Sequence, residues 1–326
     1  MNFINNYSNL NELYLSNNQI TKLINPSTES KISYIHLDNN NINDLSTMTN
    51  YKYLDYLNLS NNQISNITPL SNLDDLRLLD LSNNKLNDNT DFSNINTNKL
   101  YIGGNDFKKL KGISKIETLR ELFINNNKSK LDLESLSNLD NISHLDLSFS
   151  PSYNFESTRL NELSSLNLNG NTLDHLSVLN KFAPKIDLLY YDQTKPINLS
   201  ELKELQYLDQ ISLNNINYDD VSILKSLSQI PTLKEISLKE NHLKNIDFLN
   251  DLKQIRLILL DSNDIEEIKD MQKYKNIRSL SISDNPLTDA VELNTMIFDQ
   301  LYIGENHSIE YPKVKNYSIN DSIDYF

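Results

Sequence analysis

A chain of 326 residues with a net charge of −14 lacks the basic stripe that a phosphate backbone demands, which argues against nucleic acid as a partner. The absence of cysteine removes disulfide caps, thiolate metal sites and any cysteine nucleophile, and leaves the redox compartment open. No apolar run approaches membrane-spanning length, so membrane insertion is not expected.

At the N-terminus, MNFINNYSNL has neither a basic n-region nor an apolar h-region, so no signal peptide is read. The expected location is cytoplasmic unless the chain is a fragment of a secreted or surface protein. Leu10, Leu13, Leu15, Asn18 and Ile20 then set a pattern that returns at Leu54, Leu57, Leu59, Asn62 and Ile64, and again at Leu76, Leu79, Leu81, Asn84 and Leu86. A period of about 22 residues with the form L-x-x-L-x-L-x-x-N-x-L is the leucine-rich-repeat signature. One copy cannot bury its own apolar face, so the copies must stack. A solenoid grows by adding layers, which lets a chain with only 38% hydrophobic residues fold. Residues 1–309 are expected to form one array of about 14 repeats.

The first core position recurs at Leu13, Ile35, Leu57, Leu79, Leu100, Leu122, Leu145, Leu166, Leu189, Ile211, Ile236, Ile258, Leu280 and Leu301, with a second apolar residue two places later. Two inward residues separated by one is the period of a strand. The fold class is an α/β solenoid, a leucine-rich-repeat horseshoe or arc with a parallel sheet on the concave face. Its convex half reads Ile64, Ile67, Leu70 and Leu73, apolar every third residue with Pro69 inside, which suits 3₁₀ or extended segments better than long helices.

Just after each strand stand Asn18, Asn40, Asn62, Asn84, Asn105, Asn127, Asn171, Asn241, Asn263, Asn285 and Asn306, replaced by Ser150, Thr194 and Ile216 in three repeats. An amide carries both donors and an acceptor, so these residues are expected to pair buried backbone groups of their own and adjacent turns. They form a structural ladder and not a binding site. Residues 148–225 depart from the pattern, with SFSPSYNFE, LLYYDQTKP and NNINYDD. Drift with a local change of curvature is one reading, and a surface shaped for a partner is the other.

Both ends raise expectations. Met1, Ile4, Tyr7 and Leu10 align with Ile67, Leu70, Leu73 and Leu76, so the chain begins in the convex half of a repeat without a cap. A terminal repeat needs shielding, which points to an upstream domain or to self-association. Residues 310–326, with Val314, Tyr317, Ile319 and Ile323 off the repeat spacing, are expected to close the array.

Outward strand positions place Tyr14, Tyr34, His36, Asp38, Tyr56, Asp80, Tyr101, Phe123, Asp146 and Tyr190 on the concave side. Tyrosine suits β-structure of itself, but aromatic residues on a rigid face are also the usual anchors of protein interfaces. A protein-binding patch, with its carboxylates suited to a basic partner, is the reading taken. On this reading Tyr34, Tyr56, Tyr101 and Phe123 are solvent-exposed. Catalysis finds little footing. His36 and His144 stand five repeats apart, roughly 24 Å at sheet spacing, too far to share a metal or a proton. No cofactor or metal site is expected.

The segment NQISNITPLSNLDDLRLLDLSNN, Asn62–Asn84, resembles the repeats of bacterial internalins and those of a eukaryotic phosphatase-1 regulatory subunit. The resemblance extends over nearly the whole array. It implies a non-enzymatic scaffold that binds a protein on its concave face, as in a bacterial surface protein or effector. The alternative it implies is an intracellular regulatory subunit that holds an enzyme such as a phosphatase. The helical cap, immunoglobulin-like segment and wall anchor of internalins are not recognisable in the sequence.

Overall fold

The structure, a computed structural model, describes residues 9–23, 30–74, 76–151, 153–192, 198–216 and 221–304, and the backbone of a short strand at 317–318. Met1, Ile4, Tyr7, Thr194, Asn306 and the rest of 310–326 lie outside the described residues. The chain divides into two compact units, residues 1–166 and 167–326.

The N-terminal unit carries β1 (Glu12–Tyr14), β2 (Tyr34–His36), β3 (Tyr56–Asn58), β4 (Leu78–Asp80), β5 (Lys99–Tyr101), β6 (Glu121–Phe123) and β7 (His144–Asp146). Strand β8 (Ser165–Asn167) begins at its end. Each of β1 to β6 pairs in parallel with the next strand. The register sets Leu13 beside Ile35, Ile35 beside Leu57 and Leu57 beside Leu79, so like positions of successive repeats stack. The central residue of every strand is buried between two that face outward, as Leu57 is between Tyr56 and Asn58. The second core position continues the ladder, with Leu59 N–H donating to Asp80 O at 2.8 Å.

Behind this sheet the chain returns through 3₁₀ turns at Met48–Asn50, Thr68–Asn72, Ile113–Lys115, Leu133–Leu136 and Phe155–Ser157. Pro69 sits in the first turn of Thr68–Asn72, where its missing N–H costs nothing. Ile64, Ile67, Leu70 and Leu73 are all buried, so the three-residue spacing packs one edge of each turn inward.

The C-terminal unit repeats the scheme with β9 (Leu188–Tyr190), β10 (Gln210–Ser212), β11 (Glu235–Ser237), β12 (Leu257–Leu259), β13 (Ser279–Ser281), β14 (Gln300–Tyr302) and β15 (Tyr317–Ser318), again in parallel pairs. Its returns include one short α-helix, α1 (Val178–Phe182), and a nine-residue 3₁₀ segment, Val221–Gln229.

The asparagine ladder follows one scheme in both units. Asn62 Nδ2 donates to Leu59 O and Ser60 O of its own turn and to Leu37 O of the preceding repeat, at 3.0–3.1 Å. Its Oδ1 accepts from Ile42 N at 2.9 Å. Asn40, Asn84, Asn105, Asn241, Asn263 and Asn285 repeat the set. Asn171 is buried at its expected position. Asn127 accepts from Phe107 N at 2.9 Å but aims its amide at Phe107 O and Ser129 O. The following position is Ser150, whose hydroxyl accepts from Asn127 N and donates to Ser148 O. A hydroxyl thus carries part of the amide's task. Asn18 differs in being exposed and, among the described residues, bonding within its own turn.

Among the described residues, the residue before each ladder position is left-handed. Asn17, Asn39, Asn61, Asn83 and Asn126 have φ of 54–58°, and Gly104 fills the same place at 70°. Asparagine and glycine tolerate this region best. The NN pairs of the sequence therefore divide two tasks, the first residue turning the chain and the second bonding it.

Candidate protein-binding face

Three outward residues per repeat build the exposed face of the N-terminal unit, and their columns follow from the strand register. Glu12, Tyr34, Tyr56, Leu78, Lys99, Glu121 and His144 form one column, and Tyr14, His36, Asn58, Asp80, Tyr101, Phe123 and Asp146 form the next. Repeats lie about 4.8 Å apart, so flat side chains of neighbouring strands meet face to face. Tyr14 stacks on His36 with ring centroids 4.7 Å apart, His36 meets Tyr56 at 4.6 Å, and Tyr56 stacks on Tyr34 at 6.0 Å. A second group joins Tyr101 to Phe123 at 4.2 Å with planes 12° apart.

This stacking changes the expected exposure. Tyr14 is 65% exposed, but Tyr34, Tyr56, Tyr101 and Phe123 are half-buried, each covered on one face by its neighbour. They remain on the sheet surface and outside the core.

Lys99, which the sequence reading left out of the site, lies over the second group. Its ammonium stands 5.6 Å from the Tyr101 centroid and 5.2 Å from that of Phe123, and it pairs with Glu121 at 2.6 Å. The signal was present, because a cation in one column beside aromatics in the next places a positive charge over π-faces. Arg77 was also missed. Its guanidinium is held by both Asp55 oxygens and donates to Tyr34 Oη at 3.4 Å, and the Arg77 contact pulls the Asp55 carboxyl below its usual range.

Carboxylates complete the face. Asp38 accepts from Ser16 Oγ at 2.5 Å and lies 3.5 Å from Asn58 Nδ2. Asp80 and Asp146 each accept the backbone N–H two residues on, at 2.8 Å. Burial raises the pKa of both, against the lowering effect of those bonds. Burial, then the nearby Asp80 charge, raises that of Tyr56, and the hydrogen bond to Glu12 does so for Tyr14. The face thus combines aromatic planes with carboxylates, with Lys99 and Arg77 as paired cations.

Tyr190 belongs to the C-terminal unit, whose face is different. The column of Ser212, Ser237, Leu259 and Ser281 is at most 1% exposed. Leu257 and Leu259 occupy outward strand positions yet are buried, with Tyr302 packed against them. Small serines on the flanking strands let that ring settle over the leucines. Asp192 and Asn214 knit this face to its backbone, accepting from Ser212 Oγ, Asn214 N, Ser237 Oγ and Lys239 N at 2.7–2.8 Å.

Among the described residues no group of three His, Asp or Glu side chains is placed to hold a metal ion, and no helix is long and apolar enough to cross a membrane.

No family model matches the chain, and no curated protein matches it. Solved structures do. An internalin, InlF from Listeria monocytogenes, aligns over 93% of this chain and 88% of its own, at 19% identity and a TM-score of 0.50. A leucine-rich-repeat protein of Leptospira interrogans aligns over 88% of this chain and 76% of its own, at 21% identity and a TM-score of 0.56. TLR13, solved in complex with the single-stranded RNA ssRNA13, aligns over 84% of this chain and 53% of its own, at 18% identity and a TM-score of 0.50. At these identities the likeness is one of fold. The chain has a leucine-rich-repeat fold with 3₁₀ returns.

Proposed function

We propose that the protein is a non-enzymatic scaffold whose N-terminal sheet face binds a protein partner of basic character. The observation that carries this reading is the stacked tract of Tyr14, His36, Tyr56 and Tyr34 beside Asp38 and Asp80. Rings already held by one another lose little rotamer entropy when a partner covers their free faces. Aromatic anchors supply most of the energy of such interfaces, and the cations of a partner find both π-faces and carboxylates here. TLR13 was solved with RNA, but on this face Asp38, Asp80, Asp146, Glu12 and Glu121 repel a phosphate backbone. The reading is that of a surface protein or effector of bacterial type.

The test is to replace Tyr56 and Phe123 by alanine, then measure the urea midpoint and the capture of basic proteins from lysate side by side with the wild type. We expect binding to weaken by about 2 kcal/mol or more, as for a hot spot, while the fold survives. Equal capture by wild type and variants overturns the reading. An enzyme such as a phosphatase, captured in a tyrosine-dependent way, selects the regulatory-subunit alternative.

A further inference from the structure

In the C-terminal unit a cleft of about 480 Å³ opens where the chain turns into β11, β12 and β13, lined by Pro231, Lys234, Gln254, Arg256, Asn276 and Arg278. Its two arginines come from a repeated element that the leucine pattern conceals, Lys253-Gln-Ile-Arg256 and Lys275-Asn-Ile-Arg278, one repeat apart. Backbone bonds fix the elements in line, with Arg256 N donating to Lys234 O and Arg278 N to Arg256 O, at 2.8 and 2.7 Å. The three cations of the cleft therefore succeed one another at about 4.8 Å per repeat.

Elsewhere in the chain a cation at this position before the strand is satisfied. Arg77 is held by Asp55 of the preceding repeat, and Lys234 by Asp209. Arg120 turns its Nη1 onto the carbonyls of Glu117 and Leu119, both at 3.1 Å. Arg256 and Arg278 break the rule, because the residue one repeat before each is itself a cation, Lys234 and Arg256. The guanidinium of Arg256 has no hydrogen bond or ion pair among the described residues, and that of Arg278 has only a 3.4 Å bond to Ile297 O. Both are exposed, as are Lys253 and Lys275. Asp299, next in line after Arg278, forms no ion pair with it among the described residues.

Among the described residues the guanidinium groups of Arg256 and Arg278 have no carboxylate partner, and two such cations side by side in one cleft, in a protein of net charge −14, call for an anion. Guanidinium forks match the oxygens of phosphate and sulfate two at a time. Gln254 and Asn276 bring side-chain amides to the same cleft, each donating to a backbone carbonyl, Ile230 O and Lys253 O, which leaves their amide oxygens to accept from ligand hydroxyls. The cleft is of the size of small-ligand sites and larger than a bare ion requires. We propose that it binds an organic phosphate or sulfate monoester, with Arg256 and Arg278 clamping the oxyanion and the two amides contacting the group that carries it. This site is independent of the tyrosine-bearing face.

Titration calorimetry at near-physiological salt tests the proposal with four probes: inorganic phosphate, a sugar phosphate, a sulfated disaccharide and a phosphoserine tripeptide. At least one ester is expected to bind saturably and more tightly than inorganic phosphate, and the best of them identifies the source of the oxyanion. Arg256→Gln and Arg278→Gln should each weaken it on the order of tenfold, as loss of a charge-assisted bidentate contact does, and the double variant should abolish it. Arg256→Lys, which keeps the charge and loses the fork, should fall between, while Lys85→Gln on another repeat should change nothing. All these side chains are exposed, and an unchanged melting midpoint confirms folding of each variant. The proposal is overturned if no ester binds, if inorganic phosphate binds as tightly as any ester, or if the double variant titrates like the wild type.

Discussion

A single asparagine amide in the regular repeats pairs four backbone groups, which makes its removal costly for its size. Asn62→Ala should leave the buried Ile42 N–H without its acceptor and strip one of two donors from the carbonyls of Leu37 and Leu59, lowering stability by about 1–3 kcal/mol. Asn18→Ala should cost clearly less, because Asn18 is exposed and its bonds among the described residues are to its own turn; equal urea midpoints for the two variants would contradict the ladder assignment. The neighbouring left-handed position offers the opposite change. Phe149 occupies it with φ 52° and an exposed ring, where other repeats use asparagine, glycine or the polar Glu240, Ser262 and Asp284. Phe149→Gly should therefore stabilise the protein by about 1 kcal/mol, the strain of a side chain in that region being about 1–2 kcal/mol, read as a raised melting midpoint. Asp80 adds a pH dependence. Burial raises its folded pKa, so the stability it contributes is present when it is protonated and is lost as pH rises through that pKa. Asp80→Asn should exceed the wild type in urea midpoint at pH 7, and the gap should close as pH falls toward 4, the usual aspartate range.

At the scale of the element, three-residue strands carry two tasks on opposite sides. Leu100 and Leu122 fill the core, while Tyr101 and Phe123 stack outside it. Tyr101→Ala should cost about 0.5–1.5 kcal/mol from the lost ring pair and cation contact. Leu100→Ala should cost more, about 2–5 kcal/mol, by opening a cavity in a layer that its neighbours cannot close. Comparable losses at the two positions, measured by urea unfolding, would mean that the inside and outside of the strand are not distinct. The 3₁₀ returns show the same division, with every third residue inward. That spacing made them legible as 3₁₀ segments, whereas α1 at Val178–Phe182 carried no distinguishing signal in a stretch of five residues.

Across the molecule, stability should track the continuity of the ladder. Repeats 54–127 carry an unbroken run of asparagines, while residues 148–225 replace it at Ser150, Thr194 and Ile216. Ile216 N donates to Asn241 Oδ1, but an isoleucine side chain returns no bond to the repeat before it. Since a repeat interacts chiefly with its neighbours, amides of 148–225 should exchange sooner than those of 54–127 in a hydrogen-exchange experiment. Uniform protection across both spans would count against the irregular repeats as the weak region.

The period of about 22 residues determined the strands, their parallel order, the inward leucines and the ladder, because each follows from local spacing that every copy repeats. Residue type at outward positions was legible for the same reason. What the sequence did not determine was how neighbouring repeats use that outward surface. Tyr34, Tyr56, Tyr101 and Phe123 became half-buried only once the register set rings side by side. Leu259 became fully buried because Tyr302, two repeats away, closes over it. Lys99 became part of the site through aromatics on its own and the next strand. Arg256 and Arg278 were left without a carboxylate by the identity of the repeats behind them. Apart from Lys99 with Tyr101, such contacts join residues 20 or more apart, and whether a side chain meets a ring, a carboxylate or solvent is decided by the repeat stacked against it.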